Sequence, residues 1–203
     1  MEATPRLLLL SFLLLISLHQ ALPATALSPA SDDFIRSCCN ATLNPDLCYA
    51  SLARFASSAH SDPAQLARFA IGLSLSQARY VASFLSTLAR NSHYSMDPSS
   101  ASALRDCVSV FRDTAGLIKD SLVQMRELGR GYGEGYEVWR FQISNVKTWM
   151  SAAITNEDTC VDGFDEVGDD GKVKADVERR VGVATEFASI ALAIVDWYAA
   201  LLM

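Results

Sequence analysis

The chain is poor in histidine, and the histidines it has stand at no spacing that holds a metal. There are three in 203 residues, and His19 lies in the apolar N-terminal region, leaving His60 and His93. No His-x-x-x-His or Cys-x-x-Cys pair occurs, which excludes a zinc site of the usual spacing. Glycine and proline are also sparse, at 10 and 6 residues, which excludes a collagen-like or low-complexity chain and suits one core-forming domain. No stretch of strand length alternates apolar and polar residues, so a sheet is not expected. Cations are in the minority, giving a formal net charge of −6. Such a chain is a poor binder of nucleic acid or anionic membrane and a good match for a basic protein partner.

Long apolar runs are scarce too. Arg6 precedes a twelve-residue block, Leu7 to Leu18, and a short polar region then ends in Ala24-Thr25-Ala26. The block falls short of the roughly 20 residues a membrane helix needs. Its layout is that of a secretory signal cut after Ala26, so residues 1–26 are read as a removed leader. Glu2 and Arg6 leave together, and the charge stays at −6. Val183 to Met203 is rich in Ala, Ile and Leu, but Glu186, Asp196 and Trp197 interrupt it, and it is not read as a span. The mature chain is expected to be soluble, secreted and monomeric when free, without a cofactor.

Five cysteines remain: Cys38, Cys39, Cys48, Cys107 and Cys160. In a secreted chain they read as two disulfides and one spare thiol. Asn44-Pro45-Asp46 writes a helix start, with Asn as cap and Pro at the first helical position. A short helix from Phe34 to Cys39, a turn, and a second helix to about Ser57 are therefore expected, stapled by Cys39 and Cys48. Asp62-Pro63 and Asp97-Pro98 repeat the cap signal. Apolar residues then recur at alternating spacings of four and three: Ile71, Leu75, Ala78, Ala82, Leu85 and Ala89 in one segment, and Leu104, Val108, Phe111, Ala115, Ile118, Leu122 and Met125 in the next. After the glycine-rich run Gly129 to Gly135 come Trp139, Ile143, Val146, Met150 and Ala153. Gly163, Gly168 and Gly171 mark another connection before Val177, Val181, Ala184, Ala188, Ala191, Val195, Tyr198 and Leu202.

Four such segments joined by short connections predict an all-α protein: an antiparallel, up-down-up-down four-helix bundle over 62–203, preceded by a disulfide-stapled helical hairpin over 27–61. The turn between the second and third long helices centres near Tyr132, with Cys107 25 residues before it and Cys160 28 after. Positions nearly equidistant from an antiparallel turn lie side by side, so Cys107 pairs with Cys160 and Cys38 is left over.

Catalytic signals are weak. Gly72-Leu73-Ser74-Leu75-Ser76 lacks the last glycine of a nucleophile elbow and lies in a helical pattern, reading as core packing plus solvated serines. His60 and His93 flank helix ends and read as surface residues. The glycine-rich run does not match a dinucleotide fingerprint and follows no strand. Asn40-Ala41-Thr42 is a glycosylation sequon. Carboxylates are the remaining signal: Asp106 and Asp113 on the second long helix, with Glu157, Asp158 and Asp162 around Cys160. They read as a solvated acidic face, as a docking surface for a protein offering basic or polar groups, or, ranked third because no enclosing pocket is indicated, as a pair for general acid/base catalysis.

Three segments carry a family resemblance: Cys39-Asn40-Ala41-Thr42-Leu43-Asn44-Pro45-Asp46-Leu47-Cys48, then Ala103-Leu104-Arg105-Asp106-Cys107, then Trp149 with Ser151-Ala152-Ala153, Thr159-Cys160 and Asp162-Gly163-Phe164. On them the chain resembles the plant invertase and pectin methylesterase inhibitor family from Phe34 to Met203. The resemblance implies the same bundle and the same two disulfides, no enzymatic activity, and a cell-wall protein that blocks either a pectin methylesterase, by covering its substrate cleft, or an acid invertase. Invertase inhibitors typically carry Pro-Lys-Phe after the second bundle helix, where this chain reads Gly131-Tyr132-Gly133-Glu134-Gly135, so pectin methylesterase is the implied partner. A secreted structural or signalling bundle without an enzyme target is the alternative of a different class. Carried over by position, the family's contact residues are Thr159, just before the fourth family cysteine, with Asp113 and Asp162. A further acidic contact position is Ser109 here, and Cys38 stands where serine is common.

Overall fold

Four helices start where a Ser, Asn or Asp stands directly before proline, and the reason is local. The polar side chain accepts from N–H groups that the first turn leaves without a partner, and proline has no N–H there to satisfy. The computed structural model describes residues 28–91, 97–128, 135–165 and 172–202. Within it, Asn44 Oδ1 accepts from the Leu47 amide at 3.2 Å, and Asp62 Oδ1 from the Ala64 amide at 2.9 Å. Asp97 Oδ1 accepts from the Ser99 and Ser100 amides at 2.9 and 3.0 Å. The fourth cap is Ser28, whose hydroxyl accepts from the Ser31 amide at 3.3 Å.

Every described element is helical: α1 Pro29–Cys39, α2 Pro45–Leu52, a 3₁₀ turn Ala53–Phe55, α3 Ala56–Ala59, α4 Pro63–Asn91, α5 Pro98–Glu127, α6 Tyr136–Asp165 and α7 Lys172–Ala200. Three boundaries differ from expectation. Helix α1 starts at Pro29 rather than Phe34, because Ser28-Pro29 is the same cap signal in another spelling. The second helix stops at Leu52 instead of Ser57 and gives way to the 3₁₀ turn, after which the chain reverses at His60 and Ser61 (φ 50° and 55°). Gly163 does not end α6 but lies inside it, between buried Cys160 and Phe164. The leader over 1–26, His93, Gly168, Gly171 and the glycine-rich run up to Glu134 lie outside the described residues.

The start of α4 meets the end of α5, where Arg68 Nη1 donates to the Met125 carbonyl at 3.2 Å. The start of α6 meets the end of α7 through Lys147 Nζ and Asp196 at 2.6 Å, and the Trp139 ring meets Tyr198 edge-on at 6.1 Å. At the opposite end, Lys174 Nζ of α7 reaches Asp165 of α6 at 2.6 Å. Cys107, near the start of α5, is bonded to Cys160, near the end of α6, with Cα atoms 4.5 Å apart. Neighbouring helices therefore run antiparallel. Arg180 of α7 closes the ring by donating to the Tyr80 hydroxyl of α4 and lying 4.1 Å over the Phe84 ring.

Inside, the core falls into two clusters. One, toward the hairpin, joins Ile71, Leu75, Ile118, Met125, Met150 and Ile194 to Ile35, Cys38 and Leu52. The other, around the Cys107–Cys160 bond, holds Val81, Leu85, Leu104, Phe111, Phe164, Val177 and Val181. On α5, Leu104, Phe111, Ile118, Leu122 and Met125 are buried as expected, but Cys107 and Thr114 join them while Val108 and Ala115 are only half-buried. The disulfide explains this, since α5 must turn Cys107 inward to meet α6. Helix α7, with an 18-residue window of mean hydropathy 1.4, is apolar enough to cross a membrane by length and composition, contrary to expectation. It packs against α4 and α6 through Val177, Val181, Ala188, Ile194 and Val195.

In the hairpin, Cys39 is bonded to Cys48 with Cα atoms 5.5 Å apart. Phe34 packs edge-on against Trp197 at 6.2 Å, and Phe55 stacks on Phe69 at 4.7 Å, tying the hairpin to α7 and α4. The Tyr49 hydroxyl and the Arg36 guanidinium both donate to Asp32 and hold its carboxyl below the usual value. Cys38 is free and fully buried, and burial pushes its thiol up to about 12.

Replacing Cys107 and Cys160 together by Ala is expected to lower the unfolding free energy by about 4 kcal/mol, and Cys39 with Cys48 by just under ~3 kcal/mol, in urea titrations. Iodoacetamide at pH 8 is expected to leave Cys38 unmodified in the folded protein and to alkylate it once the chain is unfolded.

Candidate partner-binding face

The Cys107–Cys160 bond holds α5 and α6 close, and the small residues beside it leave a groove along their junction. Ser99, Ser102, Ala103, Asp106 and Val110 of α5 line it, with Thr159 and Gly163 of α6, around a space of about 330 Å³. Thr159 is exposed, and its hydroxyl donates to the Thr155 carbonyl one turn back at 2.8 Å, which fixes the direction of the side chain. Its oxygen keeps lone pairs free to accept from a partner.

A second and larger groove, about 760 Å³, runs on the other side of α6. Asp158 and Asp162 of α6 face Glu178 and Glu186 of α7 across a floor of Val161, Val181, Gly182 and Ile190. The hairpin tip, Leu43 and Asn44, closes one side, and Leu43 is 97% exposed. Among the described residues no cation lines this groove.

Thr159 and Asp162 thus lie one turn apart on one exposed strip, each bordering a different groove. Asp113 is exposed on α5 but borders neither, standing about 9 Å along the axis from Cys107 by helical rise. Asp106 and Asp158 are exposed, as expected of an acidic face.

Glu157 is not part of that face. It is fully buried, and among the described residues neither carboxylate oxygen has a satisfying hydrogen-bond partner. Thr185 of α7 lies beside it and favours its ionised form, but the Thr185 hydroxyl donates to the Val181 carbonyl at 3.1 Å. Burial dominates, helped by the nearby Asp158 charge, and the carboxyl is pushed up to about 8. The sequence held the signal: Met150, Ala153, Glu157, Cys160 and Phe164 continue one alternating stripe. Ser74 likewise is buried with its hydroxyl unsatisfied rather than solvated, whereas Ser76 is exposed. Asn40 is exposed at the end of α1, while the Thr42 hydroxyl of the sequon donates to the Cys39 carbonyl at 2.8 Å.

A family profile described as plant invertase/pectin methylesterase inhibitor matches residues 33–194, and the chain belongs to that family. A 21 kDa protein of Daucus carota is 33% identical over 94% of this chain and 95% of its own length. Pectinesterase inhibitor 9 of Arabidopsis thaliana is also 33% identical, over 94% of this chain and 92% of that protein. The crystal structure of a mutant form of a pectin methylesterase inhibitor from Arabidopsis shares the fold, with a TM-score of 0.59 and 20% identity over 78% of this chain and 92% of that one.

Gly182 sits within α7 on the floor of the larger groove, and an added Cβ meets nothing within 4 Å. Gly182→Ala is expected to stabilise the fold by about 0.5–1 kcal/mol, through better helix propensity, as read from its denaturation midpoint.

Proposed function

We propose that the protein is a secreted pectin methylesterase inhibitor of the cell wall, cut after Ala26, which binds the enzyme one-to-one and without covalent chemistry. Exposed α5 and α6 surfaces lie over the substrate cleft and exclude pectin. The observation that carries this reading is the strip around the Cys107–Cys160 bond, where Thr159 and Asp162 stand exposed on a rigid helix beside two open grooves. Covalently tied helices lose little further conformational freedom on docking, so contacts made there are not spent on ordering the chain. Thr159 supplies a positioned hydroxyl and Asp162 a carboxylate for donors on the enzyme. Asp113, further along α5, contributes to the edge of the contact.

The test titrates purified mature protein against a plant pectin methylesterase and an acid invertase at pH 5–6. Inhibition of the esterase with the invertase untouched is the expected result. Loss of neither activity at micromolar protein defeats the reading, and loss of invertase activity alone reassigns the partner. Asp162→Lys is expected to weaken esterase inhibition by about tenfold or more, and Asp113→Asn by less than about tenfold, because a reversed charge within an interface repels where a neutralised edge charge is merely lost.

A further inference from the structure

The two core clusters are separated by a level at which polar side chains occupy the buried stripe. On α5 it is Thr114, between Phe111 and Ile118; on α6 it is Glu157, between Ala153 and Cys160. Thr114 is self-sufficient, since its hydroxyl donates to the Val110 carbonyl at 3.0 Å. Glu157 is not, having no group that completes either oxygen. The groups facing it offer no compensating cation. Its own helix brings Asp158; from α7 comes the Thr185 hydroxyl, with Glu186 and the Lys174-paired Glu178 in the groove beyond; the buried stripes of α4 and α5 at the boundary between the clusters, Ala78 and Val81 on one and Thr114 on the other, carry no charge. Among the described residues no Lys or Arg forms an ion pair with it.

We propose that Glu157 is a proton-dependent latch between α6 and α7, closed while its carboxyl is protonated and opened toward the acidic groove when the carboxyl ionises and must be hydrated. A neutral carboxyl is tolerated in a packed interior, whereas a buried unpaired carboxylate is not. Thr185 lies beside Glu157 and lines the groove, so the shortest way for water to reach the charge is between α6 and α7 at Thr185. Thr159 and Asp162 stand two and five residues further along the same helix. Opening the latch therefore loosens the strip assigned above to the enzyme, a consequence that rests on that functional reading, whereas the effect on the free protein does not.

The direction of the pH dependence follows from the proton balance. The folded state holds the Glu157 proton up to about pH 8, and the unfolded chain releases it near the ordinary value of 4.5. Stability is thus fully present below the lower value, falls as pH rises between the two, and levels off above the higher. Asp32 and Asp97, both held below the usual carboxyl value, lose their contributions only in acid below this window.

Urea unfolding of the free mature protein between pH 5 and 8 tests the latch. The wild-type unfolding constant is expected to rise by up to about tenfold per pH unit, the slope of one proton. Glu157→Gln, which keeps the shape but cannot ionise, is expected to remove that slope. Should the variant fold poorly, the ¹³C resonance of the wild-type Glu157 carboxyl reads the same event directly, with a midpoint expected near 8. A flat wild-type profile, a parallel slope in Glu157→Gln, or a carboxyl titrating below about pH 6 overturns the proposal. Esterase binding, followed over the same range, separates the two readings. A latch that operates while no pH yields binding defeats the enzyme assignment alone.

Discussion

The bond between Cys107 and Cys160 fixes α5 against α6 in one register. With the two Cα atoms 4.5 Å apart, neither helix can slide by one turn of about 5.4 Å, which would part them to about 7 Å, beyond the reach of the bridge. That constraint turns Cys107 inward, favours Thr114 over Ala115 one heptad on, and brings Phe111 and Phe164 into one cluster. It also decides what is left outside. Once Cys160 faces α5, the helix period carries Thr159 and Asp162 to one exposed strip beside the joint. The elements of the proposed recognition strip and the elements that hold the bundle together are adjacent residues of one helix.

Much of this architecture was legible because the signals are local and repeated. The Asx-Pro caps locate three helix starts, and alternating spacings of three and four locate the long helices. Where reading failed, the cause was competition between rules. Gly163 reads as a breaker, yet buried neighbours on both sides keep it helical. Val108 and Ala115 fit the apolar rhythm of α5 as well as Cys107 and Thr114 do, and only the disulfide chooses between the two phases. The hydropathy of α7 is ambiguous in itself, and the packing of its buried stripe on α4 and α6 identifies it as a bundle helix.

The candidate site was less legible, for a different reason. Family positions place Thr159, Asp113 and Asp162 in the chain, but not relative to any concavity. The grooves arise from small residues on several helices, such as Ser99, Ala103 and Gly163 in one and Gly182 and Ser189 in the other. Nothing in the local sequence marks these as walls. Glu157 shows the opposite failure, because its charge suggests surface while its position in the stripe dictates burial. Period outranks residue type here, since Cys160 and Phe164 further along the stripe are held in the core and carry Glu157 in with them.

A charged residue in a buried stripe breaks the agreement between pattern and chemistry that otherwise runs through the bundle, and such breaks concentrate where function imposes a second requirement. The acid stands between Ala153 of one cluster and Cys160 of the other, beside Thr185, where α7 borders the acidic groove. The break lies in α6, the helix with both the covalent joint and the proposed contacts, and within one turn of Cys160. The disulfide limits how far the loosened segment can move from α5, so any yielding at Glu157 is directed toward α7. A bond that forbids motion on one side of a helix and an acid that permits it on the other confine that motion to the α6/α7 groove, the side on which Asp162 lies.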